Sequence, residues 1–221
     1  MTTKRVVIVD YHLGNLFSVQ RACEHLGCTV SVSSEPSELA QADALILPGV
    51  GAFGQAMDNL ARADLVSPLR DHVAANKPLL GICLGLQLLF EESEEFGSPR
   101  GLGLVPGTVK RFSAANAPVP QIGWNQVFPP EAAPSCWQET PMAGVRPGEF
   151  MYFVHSYYVV NSRVEDALTT TDYEGFCYTS AVRVGSVFAT QYHPEKSAEP
   201  GLMIYQAWLQ MVDASGKESG P

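Results

Sequence analysis

The chain has 221 residues, 46% of them hydrophobic, with a formal net charge of −9 and a pI near 5.0. That length suits one α/β domain with a full core, and the acidic balance excludes a basic nucleic-acid surface and gives no electrostatic reason for a membrane surface. Five cysteines, at 23, 28, 83, 136 and 177, are odd in number and lack a C-x-x-C spacing, which argues against a disulfide framework or zinc site and for a reducing, cytoplasmic setting.

Arg5–Val9 is the only apolar run before Asp10; it is too short for a signal-peptide core, and Val6–Val9 reads as a strand buried on both faces. Leu16, Val19, Ala22, Cys23 and Leu26 then fall at helical spacing over Asn15–Leu26, with Gly27 as the stop. Thr29–Ser33 and Ala44–Leu47 follow as strands, Phe53–Ala61 and Pro68–Ala75 as helices, and Leu79–Ile82 as a fourth strand. No stretch approaches the length of a membrane-spanning helix. The alternation predicts an α/β fold with a mostly parallel, doubly wound, flavodoxin-like sheet and helices on both faces. Ser113–Gly148 is rich in Pro, Ala and Gly and reads as loops around short strands. From Glu149 the chain is β-rich, with Met151–Val154, Tyr157–Val160, Leu168–Thr171, Ala181–Val184 and Val187–Tyr192 expected to extend the sheet in antiparallel fashion. Gly201–Val212 reads as a closing amphipathic helix; residues 1–212 are expected to form one domain and 213–221 a disordered tail.

Chemistry concentrates in three segments. Gly81-Ile82-Cys83-Leu84-Gly85 lies between an apolar strand and a predicted helix, which is the pattern of a nucleophile elbow. The two glycines let the backbone tighten, the helix N-terminus favours thiolate, and the Leu84 N–H is placed to bind an oxyanion. A cysteine nucleophile needs a base and the base an orienting group; His193 and Glu195, in Gln191-Tyr192-His193-Pro194-Glu195, supply both, with Glu195 two residues on in an extended segment and on the same side. The third segment, Leu47-Pro48-Gly49-Val50-Gly51-Ala52-Phe53-Gly54, follows a strand. Gly49 and Gly51 let its backbone approach a ligand, and Gly51, or Val50 if the loop flips, offers a second oxyanion N–H. Gln87 lies one helical turn past Cys83 on the same face, where it either lines a pocket or is a partly exposed helix glutamine.

In this order the three segments resemble the class I (triad) glutamine amidotransferases, over nearly the whole chain. Within that family, Asp10-Tyr11-His12-Leu13-Gly14-Asn15-Leu16, Gly123-Trp124-Asn125 and His155-Ser156-Tyr157-Tyr158 are most similar to the glutaminase subunits of imidazole glycerol phosphate synthase. Two positions depart from that pattern: His12 stands where glycine is frequent and Gln121 where histidine is usual.

The resemblance implies hydrolysis of L-glutamine by Cys83, His193 and Glu195 through a γ-glutamyl thioester, with no metal or organic cofactor. It implies substrate contacts from Gly49, Gln87, Glu95, Ser156 and Tyr157, with Glu95 taking the ammonium; the other acidic residues of Glu91-Glu92-Ser93-Glu94-Glu95 read as a solvated helix end. It also implies a heterodimer with a (β/α)₈-barrel cyclase subunit that consumes the ammonia in histidine biosynthesis, and Tyr11, Asn15, Trp124 and Asn125 at the interface. A glutaminase serving another acceptor synthase is the alternative. A cysteine peptidase or deglycase is disfavoured because its histidine often follows the cysteine directly, where this chain has Leu84.

Overall fold

The computed structural model describes residues 4–113 and 118–214. Its strands in chain order are β1 (Val6–Val9), β2 (Val30–Ser33), β3 (Ala44–Gly49), β4 (Leu79–Cys83), β5 (Glu92–Ser93), β6 (Gly107–Arg111), β7 (Gln121–Val127), β8 (Glu149–His155), β9 (Tyr157–Asn161), β10 (Ala167–Tyr173), β11 (Phe176–Val184) and β12 (Val187–Thr190). The main sheet runs β2-β1-β3-β4-β12-β11-β9-β6-β5, with β10 beside β11. From β2 to β12 every pairing is parallel; β11, β9 and β6 continue it in antiparallel fashion.

Period-2 alternation along β1 splits the core in two. Val6 and Ile8 pack with Val19, Ala22 and Cys23 of α1 (Leu16–His25) and with Ile204, Tyr205 and Trp208 of α6 (Ala198–Ala214). Val7 and Val9 pack instead with Leu39 of α2 (Pro36–Gln41), Leu60 of α3 (Phe53–Arg62) and Leu69 of α4 (Val66–Ala74). Helices therefore cover both faces, and a strand sandwiched this way must be apolar on both sides, as β1 is.

Three expectations need correction. The run Val187–Tyr192 does not belong to the antiparallel extension alone: β12 sits in the parallel half beside β4, and only its other edge pairs antiparallel, with β11. β8 leaves the main sheet altogether and forms a ribbon with β7, in the region expected to be loop-rich. The closing helix begins at Ala198 and includes Asp213 and Ala214, so those two residues are not a disordered tail; the remainder of that tail lies outside the described residues. Among the described residues no helix is long and apolar enough to cross a membrane. His12 adopts φ 65, the left-handed region where glycine is the low-cost residue, and its N–H is held by Asp10 Oδ1 at 2.9 Å.

Candidate active site

Cys83 ends β4 and caps α5 (Leu84–Leu88) with φ 56 and ψ −109. A cysteine in such a conformation costs about 1–3 kcal/mol and persists only where its surroundings impose it. The flanking glycines show how. A Cβ on Gly85 would collide with the Leu47 carbonyl oxygen of β3, and one on Gly81 would stand 2.9 Å from the Ala189 Cβ of β12. The elbow is wedged between two neighbouring strands, so close packing, as much as turn geometry, demands glycine there. α5 is only five residues long, a shorter helix than the apolar run to Phe90 suggests. Leu84 is its first residue, so the Leu84 N–H has no intrahelical partner and is free for a ligand.

β12 pairs with β4 up to Thr190–Ile82, and the chain beyond it brings His193 to the same end of the sheet as Cys83. His193 is 2% exposed. Its Nδ1 lies 2.8 Å from Glu195 Oε1; a carboxylate accepts, so Nδ1 carries the hydrogen and Nε2 is left to exchange a proton. Nε2 is buried and has no side-chain or backbone partner of full hydrogen-bond geometry among the described residues, and the Cys83 sulfur is the group that acts on it. Burial opposes charge on the imidazole, but Cys83 and Glu195 outweigh it and push His193 up to about 10. His193 and Glu195 are joined by a 3-10 turn, Pro194–Lys196, rather than by the extended segment expected; the turn still places both groups side by side.

The elbow opens into a cavity of about 350 Å³ lined by Val50, Gly51, Cys83, Leu84, Gln87, Glu95, Ser156 and Tyr157, with Pro120, Val154 and His155. That volume suits a small ligand. Gly49 and Cys83 are register partners on β3 and β4, which brings Val50 and Gly51 beside the sulfur. Gly51 has φ 112. Gly49 does not line the cavity. It is buried beneath the loop, and a Cβ there would strike the Tyr11 hydroxyl, so close packing demands glycine at this position. Gln87 Nε2 donates to the Tyr157 carbonyl at 3.1 Å and to Gln191 Oε1 at 3.0 Å. With both hydrogens committed, Gln87 offers a ligand only an acceptor oxygen.

Glu95 lines the cavity and also accepts the Phe53 N–H at 2.6 Å, which places its charge at the start of α3. Its neighbours lie beyond α5 rather than at the helix end itself, and Glu91 and Glu94 are exposed to solvent as expected. Glu91 accepts the Gly107 N–H at 2.9 Å and Glu92 stands 3.5 Å from Arg100. Of the interface candidates, Tyr11 is fully buried and donates to the Pro48 carbonyl at 2.7 Å. It cannot touch a partner; it supports the glycine loop from below. Asn15 caps α1 by accepting from Ser18 N–H. Trp124 is 51% exposed, and the Asn125 amide donates to the Asp172 carbonyl at 2.7 Å.

Sequence reasoning does not single out Pro120 or Val154, and it picks out His155 only as part of the His155-Ser156-Tyr157-Tyr158 segment, without a role in the site; the β7–β8 ribbon brings all three to the cavity. His155 donates from Nδ1 to the Tyr157 carbonyl at 2.8 Å, and burial pushes it down to about 4, so it is neutral at pH 7. Among the described residues, no group of three His, Cys, Asp or Glu side chains is arranged to hold a metal ion. The arrangement can attack an electrophilic carbon with sulfur, hold an oxyanion at Leu84, and return a proton from His193.

Comparison with known proteins points the same way. The glutamine amidotransferase class-I family matches residues 7–209. The chain is 47% identical over 212 residues to imidazole glycerol phosphate synthase subunit HisH of Syntrophotalea carbinolica, covering 93% of this chain and all of that one. It is 45% identical over 212 residues to the protein of the same name from Moorella thermoacetica, covering 96% and 97%. In fold it is similar to a chain of PurLQS from Thermotoga maritima, with a TM-score of 0.73 at 18% identity, over 96% of this chain and 100% of that one. With its sheet, elbow and family match in agreement, the chain belongs to the class-I glutamine amidotransferases.

Proposed function

We propose that this chain is the glutaminase subunit of an imidazole glycerol phosphate synthase. The observation that carries the chemistry is the buried His193–Glu195 pair acting on Cys83 at a strained elbow that opens into a cavity. The Cys83 sulfur adds to the side-chain amide carbon of L-glutamine, and the Leu84 and Gly51 (or Val50) N–H groups take the developing oxyanion. His193 gives its proton to the amide nitrogen as the C–N bond breaks, releasing ammonia and leaving a γ-glutamyl thioester. Water then attacks the thioester carbon while His193 takes its proton. Glutamate leaves as the C–S bond breaks. Glu195 holds the ring in one tautomer throughout. Glu95 is suited by charge to the substrate ammonium, and Ser156 and Tyr157 line the wall where its carboxylate would lie.

Ammonia released into water at neutral pH becomes ammonium, which is no nucleophile, so the product is useful only if passed on directly. The relatives' name, that of one subunit of a synthase, supports a second chain as the acceptor. We assign that chain as a (β/α)₈-barrel cyclase, giving imidazole glycerol phosphate and an aminoimidazole carboxamide ribotide in histidine biosynthesis. The exposed Ile122, Trp124 and Phe150 of the β7–β8 ribbon support docking there, because Tyr152 of the same ribbon accepts the His193 N–H at 2.9 Å. Five unpaired cysteines support a cytoplasmic setting. The test is glutamate release by this chain alone and then in the presence of the cyclase with its nucleotide ligand. A large rise in the mixture is expected. No rise with an active cyclase overturns the acceptor assignment.

A further inference from the structure

Gln191 lies directly after β12 and is wholly buried, with its backbone N–H donated to the Ser180 carbonyl at 2.8 Å. Its carboxamide has two neighbours: Gln87 Nε2 at 3.0 Å from Oε1, and Cys83 Sγ at 3.7 Å from Nε2. The orientation of a carboxamide is an assignment, and here the network fixes it. The Tyr157 carbonyl can only accept, so the Gln87 atom 3.1 Å from it is nitrogen. That nitrogen's second hydrogen requires an oxygen on Gln191, which leaves the Gln191 NH₂ directed at the sulfur. A backbone carbonyl at the β8–β9 corner thus sets, through two carboxamides, which pole faces the nucleophile.

We propose that Gln191 is a further catalytic residue of the glutaminase reaction, donating a hydrogen bond from its carboxamide to the Cys83 sulfur. The inference rests on the glutaminase reading above. A donor to an anionic sulfur is stronger than one to a neutral thiol, so the contact favours the attacking form of Cys83. It also aims the sulfur, because Gln191 is held by both its main chain and Gln87. His193 moves the proton; Gln191 supplies a second, uncharged contact that carries none.

The test is the pH dependence of Cys83 alkylation by iodoacetamide in the full chain, resolved by peptide mass spectrometry because Cys177 is exposed and also reacts. Wild type, Gln191→Met and Gln191→Glu are compared, with glutamine as protectant. In Gln191→Met the profile is expected to move up by about one pH unit, a tenfold slower reaction at neutral pH. In Gln191→Glu, which puts an acceptor where the donor was, it moves further. Turnover of glutamine falls about tenfold with KM within about twofold, since Gln191 touches the sulfur and does not line the cavity. Unshifted profiles in folded variants overturn the inference, and if the Met variant does not fold, the isosteric Glu variant decides alone. Failure of glutamine to protect wild-type Cys83 instead overturns the glutaminase reading, while the profiles still report the contact.

Discussion

Thr190 on β12 stands in register with Ile82 on β4, so the two strands end side by side and the residues that follow them, His193 and Cys83, share one end of the sheet. The pairing is parallel. A single register therefore brings a base to a nucleophile that lies far from it in sequence.

The charge balance around His193 sets a pH profile. With the imidazole pushed up to about 10, the alkaline limb of glutamine turnover, where the ring loses the proton it must give to ammonia, is expected well above the ordinary histidine range. Glu195→Gln removes a negative charge that holds the ring charged, so the limb should move down, with a loss of turnover on the order of 100-fold or more. The sign carries over to stability. A group raised from 6.5 stabilises the fold fully below that value, and the contribution is lost as pH rises towards 10. A limb that stays in place in Glu195→Gln would exclude this account.

Strain at Cys83 can be weighed by comparing two variants that both lack sulfur. Cys83→Gly accepts φ 56 at no steric cost, whereas Cys83→Ala does not. Neither should hydrolyse glutamine. The Gly variant should be the more stable of the two by about 1 kcal/mol, measured by denaturant unfolding. Equal stability would show that the elbow stores no strain at this residue.

Gly85→Ala drives a methyl into the Leu47 carbonyl oxygen, on a strand that cannot retreat because β1 pairs behind it. The expected cost is about 3 kcal/mol or more, with loss of activity in whatever fraction folds. Gly97→Ala is the control: its surroundings are open, so any cost there reflects its φ of 121 alone. A Gly85→Ala protein as stable as the control would remove the wedge argument.

Trp124→Ala tests the ribbon as a docking face. A half-exposed tryptophan that anchors an interface contributes about 2 kcal/mol or more, a loss of roughly 30-fold in affinity for the cyclase subunit. Titration of glutaminase stimulation with the cyclase measures it. An unchanged midpoint would move the interface off the β7–β8 ribbon.

Much of the site is legible in the sequence because its parts are local. Gly81, Cys83 and Gly85 sit within one turn, and His193 and Glu195 within another, so residue types at short spacing carry the chemistry. What escapes depends on strand pairing. β8 gives no sequence sign that it leaves the sheet, and with it go Val154 and His155 as cavity residues. Gln191 is visible as part of a motif, yet its contact to Gln87 spans 104 positions and exists only once β12 lies against β4. Tyr11 misleads because a tyrosine after a strand fits a surface anchor or a buried prop equally well; its bond to the Pro48 carbonyl decides for the prop.

β4 runs between β3 and β12, buried along its length, while the glycine loop and the β7–β8 ribbon close the cavity from outside that centre. Amide protons on Leu80 to Ile82 should then exchange with solvent only when the whole fold opens, and those of Val50 and Gly51 through small local fluctuations. The nucleophile rides on a strand buried at the centre of the main sheet. Any signal from a docked partner must reach the chemistry by moving the rim.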